Sequence, residues 1–287
     1  MNVLSLFDGI SCSIVAIKRA NIEIKNVYAC EIDKYAKEVS KKNHPEIIQL
    51  GSVVGLTPPN NIDLLIGGSP CQDLSICKKN RKGLEGERSG LFYEYVRIMK
   101  ECNPKYFILE NVNSMSKESK AKITEVMGVE PIMINASLVS AQSRKRLFWT
   151  NIPVQGLPED KGILLKDILE SNIKGKEITK FTKSKEKFTP TTRKLGYIGD
   201  KDHQATRVYD IEGKAPALNV VCNNGLIKTD SVRKLTPIEC ERLQGLPDNY
   251  TEGVSKTQRY KCLGNAFNVD VIVHILKYID NGVFGNV

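Results

Sequence analysis

The sequence predicts a doubly wound α/β domain with a mostly parallel sheet, joined to a small, irregular lobe. Three observations predict it. Short apolar runs alternate with helix-like stretches through the first half of the chain. Near Pro153 that alternation breaks, and Lys, Thr and Gly dominate. Periodicity returns at Leu235. With 287 residues the chain suits one core domain carrying one lobe. The expected division is a main domain over 1–152, a lobe over 153–228, and a segment over 229–287 that returns to the main domain.

In order, strands are predicted over 3–7, 27–30, 63–67, 106–109, 131–135 and 146–149, where apolar residues run together. Between them helices are predicted over 13–20, 34–43, 91–102 and 116–127. After the lobe, Thr236-Pro237 opens a helix in N-cap and first-position order, continued by Ile238, Cys240 and Leu243 and stopped at Gly245. A last helix is predicted over 267–279. There Val269, Ile272, Val273, Leu276 and Ile279 form one apolar stripe that must dock on folded structure.

Composition narrows the function classes. At 41% hydrophobic and 26% charged the chain reads as globular, and no run approaches the ~20 apolar residues of a membrane span. The start Met-Asn-Val-Leu-Ser-Leu-Phe-Asp lacks a basic leader and reads as a buried strand, so a cytoplasmic protein is expected. Eight cysteines are scattered with no Cys-x-x-Cys pair, which argues against a disulfide framework or a metal centre. Net charge is 42 − 33 = +9, and residues 161–207 hold twelve basic against six acidic residues. That local excess fits a solvated Lys-rich surface or a face for nucleic acid.

Three strand ends carry candidate chemistry, because ligands of open α/β sheets bind there. The first is Phe7-Asp8-Gly9-Ile10-Ser11, where glycine lets the backbone approach a ligand. The fingerprint G-x-G-x-x-G is absent, which favours a nucleoside without a pyrophosphate. Glu31, after the second strand, stands where an acid takes a ribose diol, or else caps the next helix. In Gly67-Gly68-Ser69-Pro70-Cys71-Gln72-Asp73 the strand ends in two glycines and a proline that present Cys71 at the rim, where a deprotonated thiol is a nucleophile. Glu110-Asn111-Val112 adds a carboxylate at a neighbouring strand end, or else a helix cap. The basic segment Gln142-Ser143-Arg144-Lys145-Arg146 enters the next strand.

Together with Arg242-Leu243-Gln244-Gly245, Pro247 and Gly264-Asn265-Ala266, these motifs resemble in type and order those of the C5-cytosine-specific DNA methyltransferases. The resemblance covers nearly the whole chain. The stretch 67–74, with Arg81-Lys82-Gly83-Leu84 and Gly90-Leu91-Phe92, is similar in flavour to the animal de novo enzymes. It implies an S-adenosylmethionine-dependent Rossmann-like catalytic domain, a target-recognition lobe, double-stranded DNA as substrate and S-adenosylhomocysteine as product, without a metal. Cys71 is implied as the nucleophile adding to C6 of a flipped-out cytosine, Glu110 as the group on N3 and N4, and Arg144 and Arg146 as electrostatic partners of the ring oxygen or the thiolate. Cofactor contacts are implied for Phe7, Asp8, Gly9, Ile10, Ser13, Glu31, Ile32, Ser52, Pro70, Leu91, Asn265 and Ala266. A cognate restriction endonuclease is a functional partner of such enzymes, and a monomer of bacterial or phage origin is expected.

Two features depart from the family pattern. Gly51-Ser52 stands where Gly-Asp is common, and the turn 8–13 has one glycine. An RNA cytosine methyltransferase and a catalytically silent DNA-binding relative are the alternatives. The sequence Pro70-Cys71-Gln72 favours DNA, and the joint presence of Cys71, Glu110, Arg144 and Arg146 favours turnover. A nicotinamide oxidoreductase lacks its glycine fingerprint.

Overall fold

The computed structural model describes residues 1–70, 90–171, 173–177, 180–184, 191–220 and 225–279. The chain divides into two compact units. The first comprises Met1–Ile134, Lys145–Leu157 and the chain from Ile272, and the second comprises Asn135–Arg144 and Pro158–Val271.

The first unit is built on strands β1 (Asn2–Leu6), β2 (Asn26–Cys30), β3 (Ile48–Gln49), β4 (Leu64–Gly68), β5 (Tyr106–Val112) and β6 (Ile132–Asn135). Its helices are α1 (Cys12–Arg19), α2 (Lys34–Asn43), α3 (Leu91–Cys102) and α4 (Lys117–Met127). After β7 (Gln142–Ser143), which belongs to the second unit, β8 (Lys145–Thr150) completes the sheet. Strand order is β3-β2-β1-β4-β5-β8-β6, with β1 to β5 parallel and β8 antiparallel to β5. Every predicted strand and helix of this region forms, and the two-residue edge strand β3 is an addition.

Local chemistry sets the helix bounds. Asp33 accepts from the amides of Tyr35 and Ala36 at the start of α2, and Ser116 accepts from Ser119 N at the start of α4. Strands β1 and β4 are buried without alternation because both faces are covered. Leu4, Leu6, Leu65, Phe92, Tyr95, Leu109 and Trp149 form the core, each large apolar side chain contributing about 1.5–3 kcal/mol of burial.

The second unit corrects the expectation of an irregular lobe. Strands β9 (Phe181–Lys183), β10 (Lys194–Ile198), β11 (Arg207–Asp210), β13 (Leu226–Lys228) and β14 (Val232–Arg233) form a five-stranded sheet in the order β14-β13-β11-β10-β9. A parallel pair joins β12 (Ala215–Pro216) to β7. The strands are two to five residues long, too short for alternation to register against a Lys-rich background. Helix α5 (Pro237–Leu243) starts as expected, with Thr236 and Glu239 closing a capping box. Helix α6 (Lys256–Asn265) is unexpected, because its sequence KTQRYKCLGN is largely polar. The final helix α7 is Val269–Leu276.

Residues 229–271 were expected with the main domain, yet they cluster in the second unit. Helix α5 packs on α6 and on the 3-10 turn Leu165–Ile168. Arg233 forms a buried ion pair with Glu239 at 2.6 Å, and Glu239 also accepts from Glu170 N at 3.0 Å. These polar ties fasten the segment to its neighbours in that unit.

Candidate active site

In the first unit the chain winds outward from β1 to β3 and then resumes on the other side of β1 with β4 and β5. The topological switch point therefore lies between the carboxyl ends of β1 and β4, where ligands of such sheets bind. Phe7 to Ser11 follow β1, Glu31 and Ile32 follow β2, Ser52 lies beyond β3, Ser69 and Pro70 follow β4, and Glu110 lies in β5.

The turn after β1 is strained and tightly tied. Phe7, Gly9 and Ser11 all have positive φ (56°, 61° and 62°), at a cost of about 1–3 kcal/mol for each of the two non-glycine residues. Asp8 supplies the compensation. Its buried carboxylate accepts from Ser5 Oγ at 2.6 Å, Ser11 Oγ at 2.5 Å and Ser13 Oγ at 3.3 Å, and its amide donates to Cys30 O at 3.0 Å. Burial pushes the Asp8 carboxyl above its ordinary range, the serine hydroxyls opposing it. Asp8 and Ser13 thus face the buried network beneath the turn, and Ile10 is buried as well.

Glu31 binds the same turn from the other side. Oε2 accepts from Gly9 N at 2.8 Å, and Oε1 accepts from Ile32 N and Asp33 N, both at 2.7 Å. A carboxylate offers about four acceptor positions, so three amides leave capacity for a ligand hydroxyl. Space above Gly9 is open, since a Cβ built there would meet nothing within 4 Å. Ile32 is 74% exposed and Ser52 is exposed. An open backbone turn, an acid with acceptor capacity and a bare apolar side chain on one rim fit a phosphate-free nucleoside cofactor. Cys30, at the same strand end, is pushed up to about 12 by burial first and then by Asp8 and Glu31, so it stays protonated at neutral pH.

On the other side of the switch point Gly68 pairs with Glu110 across β4 and β5. Asn111 Nδ2 donates to Ser69 O at 3.3 Å and to Ser69 Oγ at 3.1 Å, fixing the path out of β4. Glu110 Oε1 lies 2.6 Å from Arg146 Nε, with the two side chains 14% and 18% exposed. Strand register explains the pair: Glu110 faces Phe148 and Val112 faces Arg146, so the two charges are diagonal neighbours. Pro70 and Leu91 are half-buried at the near ends of the segment between β4 and α3. Cys71 lies outside the described residues.

The remaining motifs meet inside the second unit. Leu243 O accepts from Ser140 Oγ at 2.6 Å, Gln142 Nε2 at 3.2 Å and Asn268 Nδ2 at 2.9 Å. Gln244 Nε2 donates to Leu263 O at 2.7 Å. Arg144, expected beside the reacting groups, is 5% exposed and donates to Leu218 O at 3.1 Å, Gly264 O at 3.2 Å and Ala266 O at 3.0 Å. Its observed work is to hold this junction. Gly264 fits because a Cβ there would stand 2.4 Å from the backbone of Asn219. Asn265 is exposed and Ala266 buried at the end of α6. Part of the lobe's basic excess is paired, Lys166 with Glu212 and both Lys194 and Arg207 with Asp202.

Sequence reasoning gave no role to Asn111, whose tie to Ser69 has no local signature. Nor did it single out Ser5 and Ser11, which together with Ser13 surround Asp8.

Residues 1–281 match the family described as C-5 cytosine-specific DNA methylase. The chain belongs to this family. It is 30% identical over 312 residues to the Type II methyltransferase M.HhaI of Haemophilus parahaemolyticus, covering 97% of this chain and 93% of that one. Its identity to the Type II methyltransferase M.HpaII of Haemophilus parainfluenzae is 28%, over 94% of this chain and 86% of the relative. Among solved structures, the Entamoeba histolytica methyltransferase EhMeth shares the fold, with a TM-score of 0.73 at 17% identity and 97% coverage of both chains. This cytosine methylase is therefore an S-adenosylmethionine-dependent enzyme that methylates C5 of cytosine in DNA. Among the described residues no group of His, Cys, Asp or Glu could hold a metal ion, and no helix is long and apolar enough to cross a membrane.

Proposed function

We propose that the rim at the carboxyl ends of β4 and β5 carries the chemistry, with Cys71 as nucleophile and Glu110 as the group that activates the base. The observation behind this reading is the Glu110–Arg146 pair at 2.6 Å, one strand over from the exit that leads through Ser69 and Pro70 to Cys71. C5 of cytosine is a weak nucleophile, so the reaction is divided into easier steps. The Cys71 thiolate forms a bond to C6, and the C5–C6 π electrons become available at C5. Glu110, oriented by Arg146, hydrogen-bonds the ring at N3 and N4 and draws off the charge that builds there. Phe7, Gly9, Ile10, Glu31, Ile32, Ser52, Pro70 and Leu91 would hold S-adenosylmethionine, with Asp8 and Ser13 shaping the turn beneath it. When bound, the cofactor supplies the electrophilic methyl group. Loss of the C5 proton and cleavage of the Sγ–C6 bond restore the ring and return the thiolate.

A stacked cytosine cannot present C6 to a thiol, so the target base flips out of the duplex. Lys and Arg of 161–207 contact phosphates and give affinity, while base-edge contacts from the lobe set the sequence. The enzyme acts as a cytoplasmic monomer that methylates sites cut by a cognate restriction endonuclease.

Base-resolution 5-methylcytosine sequencing of a plasmid co-expressed with the wild type or Cys71→Ala, in a host without cytosine methylation, tests the reading. Methylation in one fixed context that vanishes in Cys71→Ala supports it. Methylation surviving in Cys71→Ala would remove Cys71 from the mechanism.

A further inference from the structure

Ser52 and Val54 sit on a turn, 51–56, that has little to hold it by itself. Gly51 and Gly55 both adopt positive φ, 82° and 70°, a conformation glycine reaches easily and leaves as easily. Within the turn the ties are one backbone bond, Leu56 N to Val53 O at 3.3 Å, and one side-chain bond, Val54 N to Ser52 Oγ at 3.1 Å. Val54 is 62% exposed.

A single side chain from α3 clamps this turn. Arg97 Nη1 donates to Leu56 O at 2.9 Å, and Nη2 donates to Val53 O at 3.2 Å. The other three donors of the guanidinium are occupied as well. Nε and Nη2 reach Glu94 Oε2 at 3.2 and 2.8 Å, and Nη1 reaches Glu101 Oε1 at 2.9 Å. All five N–H groups therefore have an acceptor, the full capacity of the fork. Glu94 and Glu101, three and four residues away on the same helix, orient the plane so that its remaining edge meets two carbonyls of one turn. A lysine has the charge but lacks the planar fork.

We propose that Arg97 is a positioning residue for the cofactor, setting the 51–56 turn so that Ser52 and Val54 face S-adenosylmethionine. The inference rests on the reading that this rim binds the cofactor. It also accounts for a chain with Ser52 in place of an aspartate: with a weaker polar contact, affinity depends more on the turn being held in place before binding.

The test compares Arg97→Met, Arg97→Lys, Glu101→Gln and Ile32→Ala by calorimetric S-adenosylmethionine binding and by steady-state kinetics on duplex DNA. Arg97→Met and Arg97→Lys are expected to weaken cofactor binding on the order of tenfold and to raise KM for the cofactor in parallel. They leave kcat at saturating cofactor and KM for DNA near wild type, a split that general destabilisation does not produce. Glu101→Gln, which keeps an amide oxygen to accept from Arg97 Nη1 but removes the charge that helps to orient the fork, loses less cofactor affinity than Arg97→Lys. Wild-type cofactor affinity in Arg97→Lys, or equal losses in kcat and DNA binding, overturns the inference. If Arg97→Met fails to fold, Arg97→Lys alone decides. Wild-type affinity in Ile32→Ala would instead overturn the cofactor-rim reading, and this inference with it.

Discussion

Arg144 and Arg146 stand two residues apart in one short motif and do different work in different units. Arg146 lies at a strand-end rim and pairs with the Glu110 carboxylate at 2.6 Å. Arg144 is buried in the second unit and gives its guanidinium to three backbone carbonyls. Strand periodicity would put both on one face, but β8 starts only at Lys145. At Arg144 the backbone is engaged with Asn135 and Ala136 instead, its amide donating to Asn135 Oδ1 at 2.9 Å. One motif thus contributes to the strand-end rim of one unit and to the frame of the other, and the pattern of residue types does not say which position does which.

The largest expected effect breaks the rim. Glu110→Gln keeps the size and hydrogen-bonding shape of the side chain but removes its charge and its acid–base capacity. The methylation rate on duplex DNA should fall by about 10²-fold or more, with the urea unfolding midpoint close to that of the wild type. A rate within a few-fold of wild type would take Glu110 out of the chemistry.

The next effect breaks the frame. Arg144→Met removes a donor from three carbonyls in a buried junction, of which Ala266 O keeps a contact from Gln244 Nε2 at 3.4 Å, and each unmet group costs about 1–3 kcal/mol. Urea denaturation should show a loss of roughly 3 kcal/mol or more. A variant as stable as the wild type but inactive would return Arg144 to the reaction, as the family resemblance implies, and dissolve the contrast between the two arginines.

The smallest effect separates the scaffold of the first unit from its rim. Burial, and then the ammonium of Lys18 3.2 Å away, hold the His44 imidazole below its ordinary value of 6.5, against the opposing pull of Glu46. The unfolded chain therefore binds the proton more readily than the folded one. The corresponding stability is present above about pH 6.5 and is lost as pH falls through the lower folded value. Thermal midpoints should decline on acidification from about pH 7 to about pH 5, and His44→Gln should decline less steeply. Parallel curves for the two proteins would exclude His44 as the source.

Several features were legible in the sequence because they are local. Apolar runs bounded by polar turns mark the strands of the first unit, and Thr236-Pro237 with Glu239 marks the start of α5, since caps and strand ends depend on neighbours in the chain. Motif order alone identifies the family. The five-stranded sheet of the second unit was not legible: its pairs join segments such as Arg207–Asp210 and Leu226–Lys228, and no local pattern predicts such pairing in strands this short. Helix α6 was hidden for a related reason, its polar sequence being held by burial of Tyr260, Cys262 and Leu263.

By itself, then, the sequence determined the fold class, the family and the strand ends that carry the motifs, because periodicity and capping act over a few residues. Tertiary structure alone decided which side chain of each motif meets which partner. It spent the Asp8 carboxylate on three serine hydroxyls, divided the two arginines between two units, and made Arg97 a clamp on the 51–56 turn. Those outcomes depend on groups far apart in the chain, and hydrogen-bond geometry selects among them only once the backbone has brought the groups together.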